Sequence, residues 1–134
     1  MALTVDYDHP LLRDRRIEIR MDEGVFQRDL AWARTFGFQA EVEALWRSGR
    51  AQGGTLDCAL VFGASGVLNP GGERGPDEAL RHKVVDLLGD LGLLGFPLRA
   101  RVEAVRPGHA LHVAALRALL SHPDAFDVVE ATPR

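Results

Sequence analysis

Residues 76–95 constrain the fold of this chain more than any other segment, because their apolar side chains recur at helical spacing. A proline at the start suits a first helical turn and a glycine at the end suits a helix terminus. On one face, His82, Asp86 and Asp90 follow at intervals of four residues and therefore form a single polar stripe. The opposite face, expected to pack on a core, carries Leu80, Val84, Leu87, Leu88, Leu91 and Leu94.

The polar stripe has two interpretations. A His-x-x-x-Asp pair such as His82 and Asp86 can supply two ligands to a zinc ion, and a further carboxylate such as Asp90 can orient a second catalytic group. Gly89 lies on the same side, where a missing side chain leaves room for a ligand to approach. Alternatively, one histidine and two acids simply form the solvated face of a helix. Spacing alone does not decide between the two.

Composition narrows the class of protein. At 134 residues the chain is long enough for one domain with a real core, and we expect a single domain over 1–134. The net charge of −3 argues against nucleic-acid binding, which needs a basic patch. Apolar runs are too short for a transmembrane segment. With Cys58 as the only cysteine and no signal-peptide pattern at the start, we expect a cytoplasmic protein.

Hydrophobic patterning predicts a mixture of strands and helices without strict alternation. We expect strands at 3–7, 16–21, 56–62 and 98–105, with Cys58 buried in the third. Besides the long helix, helical spacing is found at 25–33, 40–48 and about 110–121. The prediction is an α+β fold, in which a small mixed or antiparallel sheet packs against two main helices.

Several short motifs occur together in one order. They are Ala33-Arg-Thr-Phe-Gly-Phe38, Gly53-Gly54 with Asp57-Cys58, Val67-Leu-Asn69, Asp77-Glu78 before Arg81-His-Lys83, Asp86, Gly89-Asp90, and Gly108-His-Ala-Leu111. In this combination the chain resembles the C-terminal domain of the zinc-dependent UDP-3-O-acyl-N-acetylglucosamine deacetylases. That family catalyses the committed step of lipid A synthesis in Gram-negative bacteria. The resemblance runs from Val5 to about Val129.

The resemblance implies a set of catalytic residues for the hydrolysis of the 2-acetamido group. His82 and Asp86 match two of the three zinc ligands. His109 matches the general acid or electrostatic partner of the oxyanion, and Asp90 matches the carboxylate that orients it. Thr35 matches a hydroxyl that donates to the oxyanion. From the residues alone, His109 could instead cap the last helix, and Thr35 could be a plain turn residue.

The resemblance also implies substrate contacts. Lys83, the only lysine, matches an amine beside the substrate near the metal. Phe36 matches an aromatic side chain that packs on the sugar. Asp6 and Tyr7 stand where the family contacts uridine, and Arg106 stands at a basic position near the diphosphate. The substrate implied is UDP-3-O-acyl-N-acetylglucosamine.

A strand-helix-strand insert, about 36–55, resembles the hydrophobic passage that holds the fatty acyl chain. The side chains expected to line it are Val42, Trp46, Ala51, Gly54 and Thr55. Val42 and Trp46 have an equally open alternative, which is ordinary packing on the domain.

The remaining histidines carry plainer expectations. His9, beside Pro10, is read as a turn residue and His122 as a helix-end residue. His112, three residues beyond His109, is expected to be exposed.

The family has two domains, and this chain matches the second. The third zinc ligand and the glutamate base lie on an adjacent Glu-His pair in the first domain, and no such dipeptide occurs here. We therefore expect the C-terminal half of a zinc amidohydrolase, which needs its N-terminal domain as partner, binds zinc poorly and is inactive by itself. The alternatives are a non-catalytic UDP-sugar and acyl-binding module, a truncated remnant, or a self-associating scaffold.

Overall fold

The computed structural model describes residues 1–130, and the predicted domain end at residue 134 lies outside them. Within these residues, strands and α-helices alternate irregularly along the chain. The strands are β1 (Ala2–Val5), β2 (Arg15–Glu18), β3 (Thr35–Phe38), β4 (Ala59–Phe62) and β5 (Glu103–Val105). The α-helices are α1 (Gln39–Arg47), α2 (Glu78–Leu91) and α3 (His109–Leu120).

The strands form two small sheets. In the three-stranded sheet, of order β2-β1-β5, Leu3 lies opposite Ile17 in the antiparallel pair and opposite Ala104 in the parallel pair. The second sheet pairs β3 with β4 in parallel, with Thr35 opposite Ala59. This mixture of sheets and helices confirms the predicted α+β class.

Helix α2 is the central element of the core. Its predicted apolar face is buried at Leu80, Val84 and Leu87, where it packs on β1, β2 and β3. Burial of one such side chain contributes roughly 1.5–3 kcal/mol. Helix α3 packs on the other side of α2, so α2 lies between the sheets and α3. The polar stripe of α2 is thereby held beside the start of α3.

The predicted insert, about 36–55, falls within the segment β3–α1–β4, whose second strand is Ala59–Phe62. A parallel pair needs a crossover connection, and α1 with the following loop supplies it. No residue of α1 is fully buried, and its Trp46 is 50% exposed, so Trp46 is not a core residue of this domain.

The prediction that Cys58 is buried in a strand is wrong. Cys58 lies exposed in the turn before β4, where the backbone N–H of Thr55 points to its sulfur at 3.2 Å. The apolar run that suggested a strand is paired only from residue 59 onward, because β3 begins at Thr35, which lies opposite Ala59.

All four predicted strands are shorter in the structure, including Ala2–Val5 for the pattern at 3–7 and Ala59–Phe62 for that at 56–62, and one helix differs in kind. The pattern at 16–21 yields Arg15–Glu18, and that at 98–105 yields only Glu103–Val105, because the residues after Pro97 have no neighbouring strand. The helical pattern at 25–33 yields a single π-helical segment, Phe26–Leu30. Among residues 1–130 no helix is both long and apolar enough to cross a membrane.

Candidate active site

The polar stripe of α2 begins with a close pair. His82 Nε2 lies 3.3 Å from Asp86 Oδ1, and both side chains are largely buried. His82 Nδ1 lies 2.9 Å from the carbonyl oxygen of Ala33, so Nδ1 carries a hydrogen, and in the neutral ring Nε2 has the lone pair that can bind a metal ion. Two atoms bound to one tetrahedral zinc at about 2.0–2.1 Å lie roughly 3.3 Å apart. The pair therefore has the separation and the tautomer of two ligands of one ion.

The charges around this pair favour the ligand form of Asp86. Burial by itself raises the pKa of Asp86, but the hydrogen bonds from His82 and Lys83 outweigh it and hold the pKa well below its usual range. Lys83 Nζ lies 2.7 Å from Asp86 Oδ2. The hydrogen bond to Asp86 also raises the pKa of His82. Asp86 is thus an anion, and a metal ion would displace a proton from His82.

A buried ion pair fixes the carbonyl group that orients His82. Glu78 has no exposed surface and accepts hydrogen bonds from Arg34 Nε at 2.8 Å and Arg34 Nη2 at 2.9 Å. It also accepts the backbone N–H of Arg34 at 2.9 Å. Because Ala33 and Thr35 adjoin Arg34, this pairing holds both against α2. Sequence reasoning did not identify a role for either partner.

Asp90, at the C-terminal end of the stripe, contacts α3. Asp90 Oδ2 lies 2.7 Å from His109 Nδ1 and 2.6 Å from His112 Nδ1. The expectation that His112 is exposed was wrong. His112 is only 4% exposed, because it lies on the face of α3 that packs on α2. Sequence spacing held a signal, since His112 precedes the buried Leu116 by one helical turn.

These three side chains are the one group of three potential metal ligands in the part of the chain that the structure describes. Separations of 2.6 and 2.7 Å are hydrogen-bond lengths. Atoms sharing a tetrahedral ion lie roughly 3.3 Å apart. We therefore describe Asp90, His109 and His112 as a hydrogen-bonded cluster, in which the His109 side chain is 67% exposed.

Thr35 and Phe36 open strand β3 beside this region. Thr35 is exposed and stands two residues after the carbonyl group that holds His82. Phe36 is half-buried in an aromatic cluster, with its ring 5.5 Å from that of Tyr7 and 5.8 Å from that of Phe62. Phe36, expected to pack on the sugar, therefore contacts Tyr7, expected at uridine.

The residues expected at uridine and diphosphate line one cleft of about 540 Å³. Arg106 forms an ion pair with Asp6 there, and its backbone N–H donates to the carbonyl of Thr4 at 2.8 Å. The lining comprises Val5, Asp6, Tyr7, Asp8, Arg13, Arg106 and Pro107.

Most side chains expected at the acyl passage gather where α1 ends. Trp46 Nε1 donates to the carbonyl of Ala51 at 3.2 Å, and the N–H of Gly54 donates to the same carbonyl at 3.0 Å. Thr55 follows directly. Val42 instead faces β3, since a Cβ placed at Gly37 would lie 3.3 Å from its Cγ2 atom.

Comparison with known proteins shows the family. A sequence model described as LpxC, UDP-3-O-acyl N-acetylglycosamine deacetylase, matches residues 1–121. This chain belongs to that family. A protein named UDP-3-O-acyl-N-acetylglucosamine deacetylase from Anaeromyxobacter sp. (strain Fw109-5) is 43% identical over 129 residues, 96% of this chain. Proteins of the same name from Phenylobacterium zucineum and Myxococcus xanthus are 44% and 37% identical over 96% and 100% of the chain.

The chain spans less than half the length of these deacetylases, namely 42%, 44% and 43% of the three relatives. The match to the deacetylase family therefore concerns this chain only. Within it, α2 brings His82, Lys83, Asp86 and Asp90 to one face, and α3 adds His109.

Proposed function

We propose that this chain is the C-terminal part of a zinc-dependent deacetylase that hydrolyses the 2-acetamido group of UDP-3-O-acyl-N-acetylglucosamine in lipid A synthesis. The observation that carries the proposal is the His82–Asp86 pair, with Nε2 and Oδ1 separated by 3.3 Å and the imidazole held by Ala33. A solvated helix face would not require a carbonyl group that fixes the tautomer of its histidine.

His82 and Asp86 would hold the zinc ion, which when bound polarises the amide carbonyl and lowers the pKa of a water molecule. His109 presents its Nε2 side to solvent and donates a proton to the leaving amine. Asp90 accepts the hydrogen bond from His109 Nδ1 and so orients that ring. Thr35 would donate a hydrogen bond to the oxyanion.

Lys83 is held within 2.7 Å of the Asp86 carboxylate, which keeps its ammonium group beside the proposed metal. The cleft with Asp6, Tyr7 and Arg106 would take the uridine diphosphate, and Phe36, in contact with Tyr7, would pack on the sugar.

The acyl chain would follow the surface near Val42, Trp46 and Gly54. Half of the Trp46 surface is exposed and available for such a contact.

Catalytic zinc usually has three protein ligands, and this chain offers two at matched positions. We propose that the third ligand and the general base come from the part of the family's proteins that this chain does not match. The cytoplasmic location remains a prediction that rests on the single cysteine.

Zinc titration of the purified chain tests the proposal, with His82→Ala as the variant and His122→Ala as its matched control, because His122 is an exposed histidine at a helix end. We expect weak one-to-one binding that His82→Ala abolishes and His122→Ala leaves unchanged. Binding that survives His82→Ala would contradict the proposal.

The UDP-sugar-binding module remains a second candidate, because the cleft beside Tyr7 is formed independently of the metal pair. Calorimetry with UDP separates the two. Binding of UDP that Arg106→Ala weakens, in a chain without His82-dependent zinc binding, would favour the module.

A further inference from the structure

His112 is a buried imidazole that the proposed reaction does not use. Its side chain is 3% exposed, and its Nδ1 lies 2.6 Å from Asp90 Oδ2. The same oxygen lies 2.7 Å from Nδ1 of His109, so two histidines of one helix share one acceptor. His112 Nε2 is buried and has no hydrogen-bond partner among residues 1–130.

The two rings differ in what their second nitrogen can do. Because an ionised carboxylate only accepts hydrogen bonds, the nitrogen that faces Asp90 carries the hydrogen in both rings. His109 is 67% exposed and can exchange a proton at Nε2. A proton on Nε2 of His112 would instead be a buried donor without an acceptor, which is unfavourable. His112 can therefore hold Asp90 but cannot deliver a proton.

We propose that His112 is a positioning residue for Asp90. It holds the Asp90 carboxylate and shares the oxygen that accepts from His109, and it thereby limits how strongly the charge of Asp90 favours the protonated form of His109. The proposal rests on the proposed function only in taking His109 as the acid. Hydrogen bonds to a carboxylate stabilise its charge, so each donor weakens the hydrogen bond that the carboxylate accepts from the other donor. Consistently, the pKa of Asp90 lies below its usual range, and the hydrogen bond from His112 is the largest cause.

Apart from His109 and His112, no charged group of residues 1–130 pairs with Asp90. Helix α3 packs against α2 and against the 3₁₀ turn Pro123–Ala125. Within residues 1–130, the ion pairs of Asp90, His109 and His112 are only with one another. The remaining titratable and charged side chains on these elements and just after α3 are Glu78, Arg81, His82, Lys83 and Asp86 of α2, Arg117 of α3, and His122 and Asp124.

The test compares two variants. His112→Leu has a similar volume and removes the donor, whereas His112→Asn places an amide nitrogen where histidine has Nδ1. The proton affinity of His109 is measured by NMR titration of its ring Cε1–H in the purified chain, without zinc or substrate. We expect an increase of about 3- to 10-fold in His112→Leu, and less than about 2-fold in His112→Asn. An unchanged or lower affinity in a folded His112→Leu variant would overturn the proposal.

A second measurement needs no variant and keeps the proposal testable if His112→Leu does not fold. Long-range ¹H–¹⁵N spectra of the wild-type chain report which nitrogen of each neutral histidine carries the hydrogen. We expect Nδ1 in His112, and a neutral His112 with its hydrogen on Nε2 would overturn the proposal. Neither measurement uses zinc, substrate or turnover. A failure of the deacetylase proposal would therefore leave the His112–His109 coupling to be judged by itself.

Discussion

Glu78 is a carboxylate without exposed surface, and its two oxygens accept hydrogen bonds from Arg34 and from the backbone N–H of Arg74. Removing one partner of a buried pair leaves the other charge uncompensated. We therefore expect Glu78→Gln to lower the free energy of unfolding by about 3–5 kcal/mol, measured by urea denaturation.

The control for this prediction is Glu103→Gln. Glu103 pairs with Arg16 at 3.1 Å, and both side chains are about half exposed. Exposed pairs contribute roughly 0–1 kcal/mol, so this variant is expected to change stability little. Equal losses in the two variants would show that the burial of Glu78 does not set its contribution.

The same carboxylate predicts a pH dependence. Burial alone raises the pKa of Glu78 above its ordinary 4.5, but the hydrogen bonds from Arg34 and the backbone outweigh it and lower the pKa. As pH falls, the unfolded chain binds this proton first, so the contribution is complete above about pH 5 and is lost below it. We expect the stability difference between wild type and Glu78→Gln to shrink between about pH 5 and pH 3. The pKa of Asp86 is also lowered, but its contribution to the pH dependence is the same in both proteins and cancels in the difference. A difference independent of pH would contradict this reasoning.

At the scale of elements, α2 was predictable because its signals are local. Its apolar period and polar stripe lie within one segment, and the approach of His82 to Asp86 follows from their i,i+4 spacing. The place of Pro76 in the first turn was predicted wrongly, because α2 begins at Glu78 and Pro76 precedes its N-cap, Asp77. The burial of His112 and the exposure of Cys58 depend instead on which element packs nearby. The Ala33 carbonyl was not predictable either, because backbone atoms carry no sequence signature.

Two glycines give opposite predictions for their elements. A Cβ at Gly89, in α2, would meet no atom within 4 Å, so Gly89→Ala should stabilise the chain by about 0.5–1 kcal/mol through helix propensity. A Cβ at Gly75 would lie 2.8 Å from the ring of Trp32, over which Arg81 stacks. Gly75→Ala should therefore destabilise by about 1–3 kcal/mol. Thermal unfolding of both variants checks the signs, and a destabilised Gly89→Ala would mean that this face is not open.

At the scale of the whole molecule, α2 sets the distance between the two parts of the proposed site. Asp86 and Asp90 are one turn apart, about 6 Å along the helix axis. A zinc ion at Asp86 and the acid His109, which is held by Asp90, could thus act on one amide group. Tyr7, which lines the cleft, contacts Phe36, the neighbour of Thr35 in β3.

A chimeric enzyme tests this arrangement as a whole. In it, this chain would replace the 129 matched residues of the Anaeromyxobacter deacetylase, with which it is 43% identical. We expect zinc-dependent deacetylation that His82→Ala abolishes through loss of metal. His109→Ala should lower kcat by about 10²- to 10⁴-fold with zinc retained, because only proton transfer is lost. His122→Ala, the exposed control, should leave kcat unchanged. A folded, zinc-loaded chimera that turns over equally well with His109→Ala would show that the acid lies elsewhere, although the metal pair would stand.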